Sequence, residues 1–288
     1  MSDARCPRSS QEAECDAMRT HLSARGASPL TIKQYAYAVR RFRRFTAKPA
    51  VEVSNRDLDE WAAALRAEGL SIATVRVLLT AVIKLLDTNG APSTREYQLP
   101  HRGLSLPRCL TQAEARQLLS AARNESDPTS GELVQTLLYS GLRVGELSAL
   151  TTNDVNAPLG TVTVHHGKGA KDRVIVIDTG TVQLLAARAR RLGLGPGERL
   201  FALNPASIER RVSKCAKVAG LPGRVSPHTL RHTLATALLS NGCDIRYIQR
   251  QLGHASLATT QIYTHVDASS LRAAYNSHLP RFGGRSGA

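Results

Sequence analysis

The chain has 288 residues, and its 38 Lys and Arg against 23 Asp and Glu leave a net charge of +15. This basic balance favours a polyanionic partner, although charge alone does not separate DNA from RNA. No stretch approaches 18 apolar residues, and the polar segment 1–14 lacks a signal-peptide core, which argues against a membrane span and against secretion. We therefore expect a cytoplasmic protein with no membrane partner.

The cysteines argue against two further classes of protein. They are odd in number, widely spaced and without a CxxC pair, a pattern that fits neither a disulfide framework nor a zinc knuckle. We interpret them as reduced thiols. They are Cys6, Cys15, Cys109, Cys215 and Cys243.

The length of the chain and a cluster of prolines and glycines predict two domains. At about 150 residues per domain, a chain of this length accommodates two. Residues 89–108 contain three prolines and two glycines and lack sustained periodicity, so they predict a linker. We expect a tail over 1–10, a helical domain over 11–88, this linker, a second domain over 109–279 and a tail over 280–288.

The first domain is predicted to consist of four amphipathic helices, at about 11–26, 29–46, 54–68 and 71–87. The third helix begins at an approximate capping box of Ser54 and Asp57, and the fourth is apolar enough to be central. The second has a basic side that could follow DNA phosphates, although a solvated basic face is the alternative. Its cations are Arg40, Arg41, Arg43, Arg44 and Lys48.

The second domain is predicted to be mostly helical with one small sheet. It opens with a helix capped at Thr111, and a helix over 130–140 ends at Gly141, so that Arg143 begins the next one. A guanidinium presents a planar fork that matches two phosphate oxygens and keeps its charge. Arg143 is therefore a candidate ligand for a phosphate.

Two alternating β-branched runs around a glycine-bearing turn predict a β-hairpin over 161–176, with Lys168 at its tip. Such a lysine could reach into a DNA groove, with Lys171 and Arg173 nearby. A nucleotide-binding loop is excluded because Gly169, and not Ser or Thr, follows Lys168. Taken alone, the turn would most often be a solvated one.

Ser226 and Pro227 predict the start of a helix that carries His228 and Arg231 in its first turn. The exposed N–H groups and positive dipole end of that terminus attract phosphate. His228 and His232 have the spacing of a zinc-binding helix, but the usual glutamate is replaced by a threonine and Arg231 lies between them. Metal binding is therefore disfavoured.

The last predicted helices include the candidate nucleophile. Residues 244–252 read as a short helix ended by Gly253, with His254 directly behind it, and 257–263 as another that ends at Tyr263. A phenol has a pKa near about 10 and needs a base or positive charge to act as a nucleophile. Alone, Tyr263 would be a half-buried helix residue, but the joint pattern overturns that interpretation.

These motifs together resemble the tyrosine recombinases of the phage integrase superfamily, and most of all their Xer-type branch. The matching pieces are Gly-Leu-Arg-Val-Gly-Glu-Leu at 141–147, Gly-Lys-Gly-Ala-Lys-Asp-Arg at 167–173, His-Thr-Leu-Arg-His at 228–232, Leu-Gly-His at 252–254 and Tyr-Thr-His at 263–265. The resemblance runs over nearly the whole chain and is most specific from 137 to 265.

The resemblance implies a two-domain, C-shaped DNA clamp, in which a SAM-like helical core-binding domain is followed by a tyrosine recombinase catalytic domain. It also implies a reaction without metal or cofactor, in which a tyrosine attacks DNA and forms a 3′-phosphotyrosyl bond. The six implied catalytic residues are Tyr263, Arg143, Lys168, His228, Arg231 and His254.

The implied partner is double-stranded DNA with specific recombination sites. A helix predicted over 268–279 could, taken alone, pack on its own chain. The resemblance implies that it docks into a neighbouring subunit, giving a homo- or hetero-tetramer on two DNA sites, and an activating DNA translocase or accessory protein is a further expectation. Dimer resolution and mobile-element integration or excision both remain open as roles. The alternatives are a type IB topoisomerase-like enzyme and a catalytically silent DNA-binding regulator.

Overall fold

The computed structural model describes residues 8–91, 96–101, 108–165, 172–253 and 268–280. The chain divides into two compact units, Met1–Ser105 and Leu106–Ala288. The described ranges are mainly helical and contain one small antiparallel sheet, which confirms the predicted fold class. No helix in these ranges is long and apolar enough to cross a membrane.

Four helices form the first unit, close to their predicted positions. Helices α2, α3 and α4 each begin at a serine whose side chain accepts a hydrogen bond from the first turn. The predicted capping box of Ser54 and Asp57 is present. The helices are α1 (Arg8–Ala24), α2 (Pro29–Phe45), α3 (Asn55–Ala67) and α4 (Ile72–Thr88).

The core of the first unit is built around two aromatic rings. Phe42 of α2 meets Trp61 of α3 edge to face, with ring centroids 5.0 Å apart. Burying side chains of this size contributes about 1.5–3 kcal/mol each. The sequence predicts a linker from residue 89, but Tyr97 packs on this core and donates a hydrogen bond to Asp59. The first unit thus includes part of that segment.

The second unit contains eight described helices. Helices α6 and α11 both end at a glycine in the left-handed conformation, Gly141 with φ 66° and Gly253 with φ 64°. The helices are α5 (Gln112–Arg123), α6 (Thr129–Ser140), α7 (Val144–Ala149), α8 (Thr179–Arg191), α9 (Pro205–Val218), α10 (Pro227–Ser240), α11 (Ile245–Leu252) and α12 (Ala268–His278).

The sheet of the second unit has three antiparallel strands in the order β1–β2–β3, namely Val155–Asn156, Thr161–Val164 and Arg173–Val176. Val162 pairs with Ile175 across the hairpin that the sequence predicts, and both are buried. Strand β1 was not predicted, because two residues are too few to show the alternation of apolar and polar residues that marks a strand. The hairpin tip and the helix predicted over 257–263 lie outside the described residues.

Helix α12 packs on its own chain, against α11 and β3. Its Tyr275 is 2% exposed and donates a hydrogen bond to the backbone carbonyl of Tyr139, at the end of α6. Burial raises the pKa of the Tyr275 phenol. The resemblance implies that α12 docks into another subunit on DNA, whereas in this structure the helix packs in cis, the alternative that the sequence leaves open.

Candidate active site

Three helix ends of the second unit surround the two candidate arginines. Arg143 is the N-cap of α7, two residues after the glycine that ends α6, and Arg231 lies in the first turns of α10. The C-terminal end of α11 is the third, because both arginines donate hydrogen bonds to its carbonyls. These hydrogen bonds bring distant parts of the sequence into one cluster. Arg231 bonds to Gly141, 90 positions away, and Arg143 bonds to Gly253, 110 positions away.

The carboxylate of Glu146 holds Arg143 in place. Its Oε2 accepts a hydrogen bond from the backbone N–H of Arg143 at 2.8 Å, and its Oε1 accepts one from Arg143 Nη1, also at 2.8 Å. Arg143 Nη2 donates to the carbonyl of Gly253 at 2.9 Å. About a third of the Arg143 side chain stays exposed, so the guanidinium is oriented without being enclosed.

Arg173, the first residue of β3, occupies the other side of the same carboxylate. Its Nη1 and Nη2 donate to Glu146 Oε1 and Oε2, both at 2.8 Å. Burial by itself raises the pKa of Glu146, but the hydrogen bonds from Arg173 and Arg143 outweigh it and lower the pKa to about 2. The sequence predicts Arg173 as a DNA contact, whereas its side chain is 13% exposed and directed to Glu146.

Arg231 is buried and is held by main-chain carbonyls. It donates from Nη1 to the carbonyl of Gly141 at 2.5 Å and from Nη2 to that of Leu252. These carbonyls lie at the C-terminal ends of α6 and α11, where the helix dipoles favour a cation. Burial, followed by repulsion from Arg143, lowers the pKa of Arg231 to about 10, which leaves it charged at neutral pH.

His228 and His232 contact each other one turn apart on α10. Their Nε2 atoms are 3.0 Å apart, and the rings meet nearly perpendicular with centroids 4.4 Å apart. His228 is exposed, whereas His232 is partly buried. Burial, followed by the charges of His228 and Arg231, lowers the pKa of His232. In the described ranges no group of three His, Cys, Asp or Glu is arranged to hold a metal ion.

Four of the predicted site residues, Lys168, Lys171, His254 and Tyr263, lie outside the described residues. Contacts at the boundaries of their segments are nevertheless defined. His165 Nδ1 lies 2.8 Å from Asp172 Oδ2, and its Nε2 lies 3.0 Å from Asp154 Oδ1. Asp172, followed by Asp154, raises the pKa of His165. The contact with Asp172 joins the two sides of the hairpin just before its tip, and the contact with Asp154 joins the end of β2 to the segment before β1.

Gly253, which directly precedes His254, is closely packed as well as left-handed. A Cβ atom built on it would lie 2.7 Å from Nε of Arg173. Nearby, the buried Gln251 donates to the carbonyls of Val176 at 2.7 Å and Ser140 at 3.3 Å, and so joins the end of α11 to β3 and α6. Only glycine fits at 253 without displacing Arg173.

Sequence reasoning missed the supporting residues Glu146 and Gln251. A signal for Glu146 was present, because an acidic residue three positions after an N-cap commonly bonds back to it. No comparable signal marked Gln251, whose partners are 75 and 111 residues away.

The predicted cations of the first unit are mostly engaged in ion pairs. Arg43 is 5% exposed and pairs with Glu14 of α1, so it belongs to the packing between α1 and α2 and not to the exposed basic side that the sequence predicts. Two more pairs are Arg41 with Glu68 and Lys48 with Asp57. The exposed cations Arg40 and Arg44 line a surface groove of about 630 Å³ that also includes Tyr37 and Trp61.

Comparison with known proteins identifies similarities of sequence and fold. Residues 108–270 match the phage integrase family, and residues 15–88 match the phage integrase N-terminal SAM-like domain. The chain is 37% identical to tyrosine recombinase XerA of Pyrococcus horikoshii, over 88% of this chain and 90% of the relative. It is 35% identical to tyrosine recombinase XerC of Mesorhizobium japonicum, over 89% and 91%.

The solved structures include a lambda integrase dimer bound to a core site. The two folds superpose with a TM-score of 0.69 at 18% sequence identity. The match covers 85% of this chain and 95% of the lambda integrase chain. At 18% sequence identity, this similarity shows a shared fold and nothing about function.

Proposed function

Because the chain belongs to the phage integrase family and is a tyrosine site-specific recombinase that cleaves and rejoins DNA, we propose that six of its residues carry the reaction. They comprise a nucleophile, a general acid, two cationic phosphate ligands and two histidines. These residues are Tyr263, Lys168, Arg143, Arg231, His228 and His254.

In this reaction the hydroxyl oxygen of Tyr263 attacks a scissile phosphate of the DNA. The new bond joins the tyrosine to the 3′ phosphate, and the bond from phosphorus to the 5′ oxygen breaks. His228 assists removal of the tyrosine proton, and Lys168 gives a proton to the departing 5′ oxygen. A 5′-hydroxyl from a partner strand then reverses the step, and no metal or cofactor is consumed.

The observation that carries this assignment is the fixed orientation of two guanidiniums beside the N-terminal end of α10. Arg143 is held by Glu146, and Arg231 by two helix-end carbonyls, so neither needs to reorganise when charge develops on phosphorus. Preorganised donors of this kind are worth about 10²–10³-fold in rate each. His254 would bond the same phosphate.

We further propose that residues 11–88 form a core-binding domain and residues 109–279 the catalytic domain, separated by residues 89–108. Both would bind double-stranded DNA at specific recombination sites. In the first unit, Arg40 and Arg44 are the exposed cations best suited to phosphate contacts, and Lys171 beside the hairpin tip would add another. The net charge of +15 supports a partner that is a polyanion.

The assembly that we propose is a homo- or hetero-tetramer on two DNA sites. Docking of α12 into a neighbouring subunit would require Tyr275 to leave its own chain and lose its hydrogen bond to the Tyr139 carbonyl. The cis arrangement then corresponds to the protein before assembly. An activating DNA translocase or accessory protein would act on this assembly, in Xer-like dimer resolution or in mobile-element integration or excision.

A trapping assay tests the proposed chemistry. The full chain is incubated with nicked or 5′-bridging phosphorothiolate duplexes that carry candidate sites from its genetic neighbourhood, and the products are separated on denaturing gels. We expect a protein–DNA adduct that survives chelator and is lost in Tyr263→Phe, whose DNA affinity stays near that of the wild type. An adduct that persists in Tyr263→Phe would refute the nucleophile. Tight site-specific binding without any adduct would favour a silent regulator.

A further inference from the structure

Two histidines contact each other beside the candidate arginines. His228 and His232 lie four residues apart on α10, and their Nε2 atoms face each other at 3.0 Å. The perpendicular arrangement of the rings, at 80°, suits a hydrogen bond in which one ring nitrogen donates in the plane of its ring. A distance of this size is that of a hydrogen bond and not of a passing contact.

A hydrogen bond between two imidazole nitrogens needs one proton and one lone pair. Two protonated rings would both be donors and would repel each other, so the contact requires that at least one ring be neutral. His232 is the better candidate, because burial, followed by the charges of His228 and Arg231, lowers its pKa. When both rings are neutral, either can donate. For His228 to take up a proton at Nδ1, its own proton must be on Nε2, so in that state Nε2–H of His228 donates and Nε2 of His232 accepts.

That direction of the hydrogen bond decides which nitrogen of His228 remains available. With the proton of neutral His228 on Nε2 and shared with His232, the lone pair of the ring is on Nδ1. His228 is exposed, so without a partner its ring would exchange between tautomers and rotamers. His232 removes that freedom from one side, as an orienting group does for a general base.

We propose that His232 is a positioning residue for His228, which holds the ring through the Nε2–Nε2 hydrogen bond and leaves Nδ1 as the nitrogen for proton transfer. This inference rests on the proposed function, in which His228 assists removal of the Tyr263 proton. His232 itself contacts neither DNA nor the nucleophile in this assignment. Within the described part of the chain, the titratable groups that lower the pKa of His232 are His228 and Arg231.

The test compares two substitutions of His232 in the full chain. Leucine removes the acceptor, whereas glutamine offers an amide oxygen at a similar reach and keeps the hydrogen bond. Ser240→Ala, at an exposed position near the end of the same helix, is the matched control. The readout is the single-turnover rate of adduct formation on a nicked duplex, with DNA affinity and thermal unfolding measured on the same samples.

General acid–base catalysis contributes about 10²–10⁴-fold, so loss of its orientation should slow His232→Leu by about 10-fold or more. We expect His232→Gln to recover most of that rate, and Ser240→Ala to match the wild type. DNA affinity should stay the same in all three variants. A double variant, His228→Ala with His232→Leu, should be no slower than His228→Ala alone, because His232 acts through His228.

Several outcomes would overturn the positioning role while leaving the recombinase assignment intact. These are a wild-type rate in His232→Leu, an equal loss in His232→Gln, and independent losses that multiply in the double variant. Sensitivity of adduct formation to chelator would instead indicate a metal ion shared by the two rings. If the wild type forms no Tyr263-dependent adduct, the proposed function fails, and the role of His232 fails with it.

Discussion

Replacing Glu146 by glutamine removes one negative charge from between two arginines while keeping the size of the side chain. In the wild type the carboxylate accepts four hydrogen bonds at 2.8 Å, two from Arg143 and two from Arg173. The amide of Glu146→Gln has one acceptor oxygen in place of two, and its NH₂ group would face guanidinium donors. Two positive charges therefore lose their common partner.

The size of the effect follows from the lowered pKa of Glu146, about 2 against the usual 4.5. A difference of this size corresponds to roughly 3 kcal/mol, at about 1.4 kcal/mol per pH unit. Removing one partner of a buried ion pair costs about 3–5 kcal/mol, which agrees. Because about 2–4 °C of melting temperature is lost per kcal/mol in a domain of this size, we expect a fall of about 6–12 °C at pH 7.

The sign of the pH dependence is fixed by the direction of the shift. The folded-state pKa lies below the unfolded value, so the stabilisation is complete above about pH 4.5 and is lost as the pH falls toward 2. The difference between wild type and Glu146→Gln should therefore narrow by about 1.4 kcal/mol between pH 6 and pH 3.5. Adduct formation by the variant should also slow at pH 7, because Arg143 loses its orientation.

Urea and thermal unfolding of the second unit, measured across this pH range, check the prediction. Glu60→Gln is the control, since Glu60 belongs to an exposed pair with Arg56 and such pairs contribute about 0.3–0.5 kcal/mol. A melting temperature of Glu146→Gln within 2 °C or so of the wild type at pH 7 would refute the reasoning. A difference that stays constant down to pH 3.5 would show that charge is not its source.

Three further outcomes are expected. Arg231→Lys should form the covalent adduct at least about 10²-fold more slowly than the wild type, because an ammonium lacks the rigid planar fork with which the guanidinium bonds both helix-end carbonyls while still facing a phosphate. Single-turnover rates would measure this. Arg40→Ala and Arg44→Ala should each reduce the slope of log affinity against log salt by about 1, with unchanged preference among DNA sequences, and an unaltered slope would remove that arginine from the interface. Tyr275→Phe, which loses the hydrogen bond to the Tyr139 carbonyl, should cost about 1 kcal/mol in unfolding and leave the fold intact by circular dichroism.

Local structure was predictable from the sequence where neighbouring residues determine it. The capping boxes at Ser54 and Thr111 and the left-handed ends at Gly141 and Gly253 appear as expected, because each depends on residues within one helix turn. The resemblance likewise implied that Arg143 and Arg231 belong to one site, and both donate hydrogen bonds to the C-terminal end of α11.

The partners of individual charges were not predictable in the same way. The sequence places Arg43 on a basic face, but its guanidinium pairs with Glu14 of α1, 29 residues earlier in the chain. Arg173 was predicted beside DNA because it follows the hairpin tip, whereas its guanidinium meets a carboxylate from α7. Periodicity assigns a side chain to a face of its own helix or strand, and the packing of other elements decides what that face meets.

The main-chain anchoring of Arg231 has a consequence for redesign of the enzyme. Its two acceptors are carbonyl groups of Gly141 and Leu252, and no change of side chain at these positions deletes a carbonyl. Arg143 depends instead on the side chain of Glu146, which a single substitution removes. When residues around this cluster are varied to change the DNA target, we therefore expect Arg231 to keep its orientation. Glu146 must be retained, because the orientation of Arg143 depends on it.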